Sequence, residues 1–272
     1  MTSIANVMPE IFSISSPEAQ RFSSIFKAEF KRLLHKKAFF ILFVLLVVSE
    51  AVFLGLTIVS FDVVGGAFTQ VSVANGFISM FYLIIGIYIV CSVSKEHEDK
   101  TTLSTLMVVP DRARLFAGRL LVWIVAAVVF GILGYLISLF AMFPYEAKLE
   151  GALDAGEAFA CLLQTAVICA FVSSIGFCVA TIFRRVGLGL MVYLILWTFG
   201  SFILTSVASM LPEAAANFVA EINKLLPSSL VSALSFTSPD AFEATFKPLF
   251  AMLVWVAGSI AGSFAIFKKV TK

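Results

Sequence analysis

SKEHEDKTTLSTLMVVPDRARLFAGRL, residues 94–120, is a polar island between two long apolar runs. Elsewhere the charges retreat to the ends of apolar stretches. A chain that only had to turn around could do so in a few residues. This segment carries its own helix signal instead. Leu103, Leu106 and Met107 fall at i, i+3 and i+4 and would make one apolar face. Glu96, Glu98 and Asp99 are expected at the start of that helix, where the dipole favours anions. Pro110 stops it, and Arg112 and Arg114 follow. The alternative is an ordinary solvated loop.

Working outward, the 272 residues are 60% hydrophobic and only 13% charged, with mean hydropathy +1.03. Soluble domains carry about a quarter charged residues, so the composition is that of a polytopic membrane protein. About 20 apolar residues at about 1.5 Å each cross the hydrocarbon core. Six runs meet that length: 38–60, 73–93, 115–143, 158–183, 187–211 and 248–267. The fold class expected is therefore an all-α membrane protein with six transmembrane helices.

Cations orient these spans. Of 19 Lys and Arg residues, only Lys148, Lys224 and Lys247 fall on one side. The others cluster before the first span, in the 94–120 island, at Arg184 and Arg185, and at Lys268, Lys269 and Lys272. Both termini are accordingly expected in the cytosol, in a cell (plasma or inner) membrane. The third connection, with Glu146, Glu150, Asp154 and Glu157, then faces out. It is either solvated or selects cationic cargo.

The segments divide as follows. Residues 1–20 form a polar, partly disordered tail without the features of a signal peptide. Residues 21–37 form an amphipathic helix in the headgroup region. Phe22, Ile25, Phe26, Phe30, Leu33 and Leu34 make its stripe, and Lys27, Lys31, Arg32, Lys36 and Lys37 its cations. The bland alternative is a basic flank that anchors the first span. Residues 38–272 are the transmembrane domain, with a coupling segment at 94–114 and an external helical segment at 212–247. In the latter, Phe218, Ile222, Leu225 and Leu226 keep helical spacing, Pro227 ends the stretch, and a second apolar stretch spans 230–236.

Little chemistry is written inside the spans. Glu50 lies near the middle of the first, where an acid costs about 2.5–3.5 kcal/mol on insertion scales. It is a candidate conduit residue, or else a protonated acid bonded to a neighbouring helix. Cys91, Cys161, Cys169 and Cys178 lie in apolar runs and read as small buried hydrophobes. His35 and His97 give no metal-site spacing, and no metal is expected. No GxxxxGK[ST] or GxSxG occurs, so neither nucleotide hydrolysis nor peptide cleavage is expected of this chain. Gly258 and Gly262 form a GxxxG, and Gly176 with Ala180 a looser version; both permit close helix approach, within or between chains.

The island also carries a family resemblance. Asp99, Thr101-Thr102-Leu103, Leu106-Met107, Pro110, Arg112 and Gly118-Arg119-Leu120 resemble the motif of type-2 ABC transporter permease subunits. Thr101 stands where that family usually has glycine, and Arg119 where it has lysine. The departures leave the acidic contact open among Glu96, Glu98 and Asp99. Leu226-Pro227 resembles a further family feature before the last span.

The resemblance implies a transporter half that works as a dimer with an identical or homologous permease. Two copies of a separate ABC ATPase would dock on Glu96, Glu98, Asp99, Thr102, Leu103, Leu106, Met107, Pro110 and Arg112. It implies that this chain is not itself an enzyme and binds no cofactor, with ATP and Mg2+ acting through the partner. Membrane lipids, and no nucleic acid, complete its surroundings. The direction implied is export of a lipid, peptide or hydrophobic drug-like substrate. The rival readings are an ion-gradient-driven secondary transporter and a non-transporting membrane sensor or assembly component.

Overall fold

The computed structural model describes residues 22–35, 70–99, 111–141, 155–235 and 242–270, with isolated residues between 40 and 56. About 94% of it is helical, and no strand occurs among the described residues. The helices are α1 (Phe22–Leu34), α2 (Gln70–Glu98), α3 (Arg112–Ala141) and α4 (Ala155–Phe183). Then come α5 (Val186–Leu194), a π turn (Ile195–Phe199), α6 (Gly200–Ala208), α7 (Glu213–Lys224), α8 (Pro227–Ser235) and α9 (Phe242–Val270).

Four stretches among the described residues are long and apolar enough to cross a membrane: α3, α4, the run α5–π–α6, and α9. Their apolar length was visible in the sequence, and their bounds move by only a few residues. The last span, Phe246–Lys269, lies in a helix, α9, that begins earlier at Phe242 and runs through Pro248, which forfeits one i→i−4 bond. The helix α2 has 29 residues. The described residues between 40 and 56 are helical, and Phe40, Ile41, Val44, Leu45, Val48, Val52 and Leu56 among them are exposed.

The centre of the bundle is α4. Its residues 171–180 are all buried, because α2, α3, α5 and α9 pack around it. Buried hydroxyls there bond back along the helix: Ser173 and Ser174 donate to the Ala170 carbonyl, and Thr181 to that of Phe177. Polar groups in an apolar setting are thereby satisfied inside one element. Gly176 of α4 faces the Gly86 carbonyl of α2, so this small pair packs within the chain. Gly258 and Gly262 do not: no described atom lies within 4 Å of a Cβ built on either. Cys161, Cys169 and Cys178 are buried core residues and form no disulfide among the described residues.

The outer helices show the opposite face. In α5–π–α6 and in α9 only 11% of the spanning window is buried, against 72% in α4. Phe202, Leu253 and Phe250 stand at 60% exposure or more. A water-soluble chain does not leave an apolar surface of this extent open.

The helices α7 and α8 form where the 212–247 segment was expected to be helical. The chain leaves α7 after Lys224 and re-enters α8 at Pro227, at whose position a missing N–H costs nothing. Trp255 of α9 donates its indole N–H to the Leu225 carbonyl at 2.8 Å, tying this corner to the last helix.

Candidate functional site

The polar island leaves the bundle at the end of α2 and returns at the start of α3. Residues 100–110 lie outside the described residues, and with them Thr102, Leu103, Leu106, Met107 and Pro110. So does Glu50. What the structure describes is the base from which that segment springs.

Its acids sit differently from the expectation. Glu96 and Glu98 belong to the last turn of α2, not to the first turn of a separate helix, because α2 continues past the apolar run to Glu98. A carboxylate at a helix C-terminus is opposed by the dipole, so it requires external cations or N–H donors. Each acid has them. Glu96 Oε2 accepts from Arg32 Nη2 at 2.7 Å and lies 3.8 Å from Arg119 Nη1. Glu98 Oε1 accepts from the backbone N–H of Val186 at 2.9 Å, at the first residue of α5. Asp99 is exposed beyond the helix end.

Glu29 completes the cluster from α1. It accepts from Arg119 Nε at 3.1 Å and from Arg32 Nη2 at 2.9 Å. The side chains of Glu29, Glu96 and Arg119 are only 8%, 11% and 7% exposed, so three of four charges are largely removed from water. Such groups are tolerated only when paired and hydrogen-bonded. Two acids and two bases alternate here, and each carboxylate reaches both guanidinium groups. They line a recess with Leu33, Val122 and Trp123.

The local sequence explains the approach of α1. Ile25, Glu29 and Leu33 fall at i, i+4 and i+8 and are its buried residues, turned toward α3. Gly118 of α3 lets the helices close, since a Cβ there would lie 3.2 Å from Ile25 Cγ2. Of the expected apolar stripe, Ile25 and Leu33 are therefore buried and Phe26 and Phe30 pack half-buried on the core, while Phe22, Leu34, Lys27 and Lys31 are exposed.

The return limb is capped. Asp111 Oδ1 accepts the N–H groups of Ala113 and Arg114 at 3.1 and 3.2 Å, the work of an N-cap. Arg112 and Arg114 thus belong to the first turn of α3. On the far side, Arg184 takes φ 55° between α4 and α5 and donates to the Ile266 carbonyl of α9 at 3.4 Å. His97 is pushed down from 6.5 to about 4, first by burial and then by the positive charges of Arg184 and Arg119, so it is neutral at pH 7.

Sequence reasoning missed Glu29, Arg32 and Arg119 as a cluster with Glu96. The available signal was an acid, Glu29, on the apolar stripe of an otherwise cationic helix.

Among the described residues, four stretches of membrane-crossing length surround a buried charge cluster at the base of the polar segment. A family model described as ABC-2 family transporter protein matches residues 25–200, more than half of the chain, and the chain belongs to this family. It is therefore a multi-pass membrane subunit of an ABC transporter, a transport component and not itself catalytic, and the family implies association with an ABC ATPase. A comparison with curated proteins found no match.

Proposed function

We propose that this chain is one half of the membrane conduit of an ATP-driven exporter. It crosses the membrane six times with both termini in the cytosol, pairs with an identical or homologous permease, and carries two ATPase copies below. The cargo is a lipid, peptide or hydrophobic drug-like molecule. ATP and Mg2+ are bound by the ATPase, and their energy enters through the 94–114 segment.

The observation that carries this reading is the family match across residues 25–200, which includes the polar island. The geometry at the base supports it. A segment springing from loose loops would yield when pushed. This one springs from two helices whose ends are fixed by Glu96, Arg119 and Asp111. Force on residues 99–111 is then delivered into α2, α3 and, through Glu29 and Arg32, into α1. Among the acids of the motif, Asp99 faces out for contact with the ATPase, while Glu96 acts from inside as a positioning residue. Leu103, Leu106 and Met107 supply the apolar docking face.

Purification of the chain from its native membrane tests this. An ATP-binding subunit is expected to accompany it, and replacement of Leu103, Leu106 and Met107 by glutamate is expected to abolish that association. Undiminished co-purification of the triple variant overturns the docking assignment.

A further inference from the structure

The run α5–π–α6 is built of two unlike halves. The inner half, α5, is held: Gly189 and Tyr193 are its buried residues, and the chain packs there against α2 and α4. The outer half, α6, buries none of its side chains. It is tied sideways to α7, where Ser201 donates to Asn223 Oδ1 at 2.9 Å. Between them lies the π turn, with the Gly200 N–H bonded five residues back to the Ile195 carbonyl. A π turn holds one residue more than the α turn it replaces, and such turns recur at functional sites.

The seam between α2 and α5 carries a second irregularity. Tyr193 is 0% exposed, and its hydroxyl has no hydrogen-bond partner among the described residues. It lies against Gly86 of α2 so closely that a Cβ there would overlap the phenol oxygen. Two turns along α2, Ser94 is also 0% exposed with a hydroxyl that has no partner among the described residues, and it faces Gly189 of α5. Two hydroxyls on one apolar seam, without a partner among the described residues, weaken the packing they sit in. The aromatic packing that holds Tyr193 runs directly into the π turn. Its ring stacks on Trp197 at 5.6 Å and 10°, and Trp197 meets Phe171 of α4 at 6.2 Å.

We propose that this seam has two packings. In the second, the π turn at Ile195–Phe199 closes to an α turn and the Tyr193 hydroxyl leaves Gly86. Removing one residue from the turn rotates α6 against α5 by about 100° and moves it by about 1.5 Å. The glycines let the two helices approach closely, and the Tyr193 phenol seated against Gly86 is the contact that must leave before they slip. The unpaired hydroxyls keep the described packing from being a deep minimum. The outer half carries α7 with it through Ser201 and Asn223. This device belongs to the chain itself and is read without any ATPase.

The test is fluorine NMR of the chain labelled with 3-fluorotyrosine in lipid nanodiscs. The Tyr193 signal is identified by its loss in Tyr193→Phe. Exchange between two environments on the microsecond-to-millisecond scale is expected, with a minor population of about 1–10%. Gly86→Ala removes room for the described packing, so it is expected to move the Tyr193 signal to the minor position. A wild-type signal without exchange overturns the proposal, as does a folded Gly86→Ala variant whose signal stays put. If that variant does not fold, the wild-type exchange measurement decides alone.

Discussion

Glu29 and Arg119, 90 residues apart in the chain, meet at 3.1 Å in a region where both side chains are less than a tenth exposed. This contact joins the helix that precedes the first expected span to the helix that follows the polar segment. Removing one partner of a buried pair costs about 3–5 kcal/mol, because the other charge is stranded. Arg119→Leu leaves two acids facing Arg32 alone, so a loss of about 3 kcal/mol is expected, read as an unfolding midpoint lower by about 5–10 °C in detergent. The double variant Glu29→Leu/Arg119→Leu leaves the balanced Arg32–Glu96 pair and is expected to lose less than Arg119→Leu alone. A double variant at least as unstable as the sum of the two single ones contradicts the shared cluster.

His97 gives a pH signature. Its folded value of about 4 lies below the ordinary 6.5, so the unfolded chain binds more protons between these limits. Stability from this group is full above pH 6.5 and is lost as pH falls toward 4. The expected loss is on the order of 1–3 kcal/mol. The difference in unfolding free energy between wild type and His97→Gln, followed from pH 7 to 4, should shrink over this window. A constant difference refutes the assignment.

How much of this was legible beforehand depends on the element. Helices α3, α4 and the run α5–π–α6 were readable because membrane crossing demands a length of apolar residues, and nothing else in the sequence imitates it. The π turn was not readable, since Ile195 to Phe199 has the same apolar character as its neighbours. The helices at α7 and α8 were visible in the spacing of Phe218, Ile222 and Leu225 and in the stop at Pro227. The charge cluster was hidden for a different reason. Arg32 and Glu96 lie 64 residues apart, and each alone looks like an ordinary flank of an apolar run. Treating Glu96 and Glu98 as the start of a helix failed because the apolar pattern stops at Val93 while the backbone helix continues to Glu98.

Asp111 caps α3, and its loss is local. Asp111→Ala is expected to cost about 1 kcal/mol and Asp111→Asn to retain most of that, both read by denaturant unfolding. The ion pair of Asp111 with Arg114 at 2.8 Å is nearly half exposed on each side, so Arg114→Ala is expected to change stability by less than the cap does.

Glu98 reaches Val186 from a different helix at 2.9 Å. Glu98→Ala removes the acceptor of the first N–H of α5, while Glu98→Gln retains a carbonyl oxygen there. Faster amide hydrogen exchange at Val186 is expected in the alanine variant and much less change in the glutamine one. Equal exchange in all three proteins contradicts the capping role.

The central claim is that residues 94–114 form the surface on which an ATPase pushes. A photo-crosslinking amino acid placed at 103 or 106 in the native membrane addresses it directly. The result expected is a covalent adduct with an ATP-binding subunit from either position, and none from 148, in the connection assigned to the opposite face. Adducts absent at 103 and 106, or equally strong at 148, would contradict it.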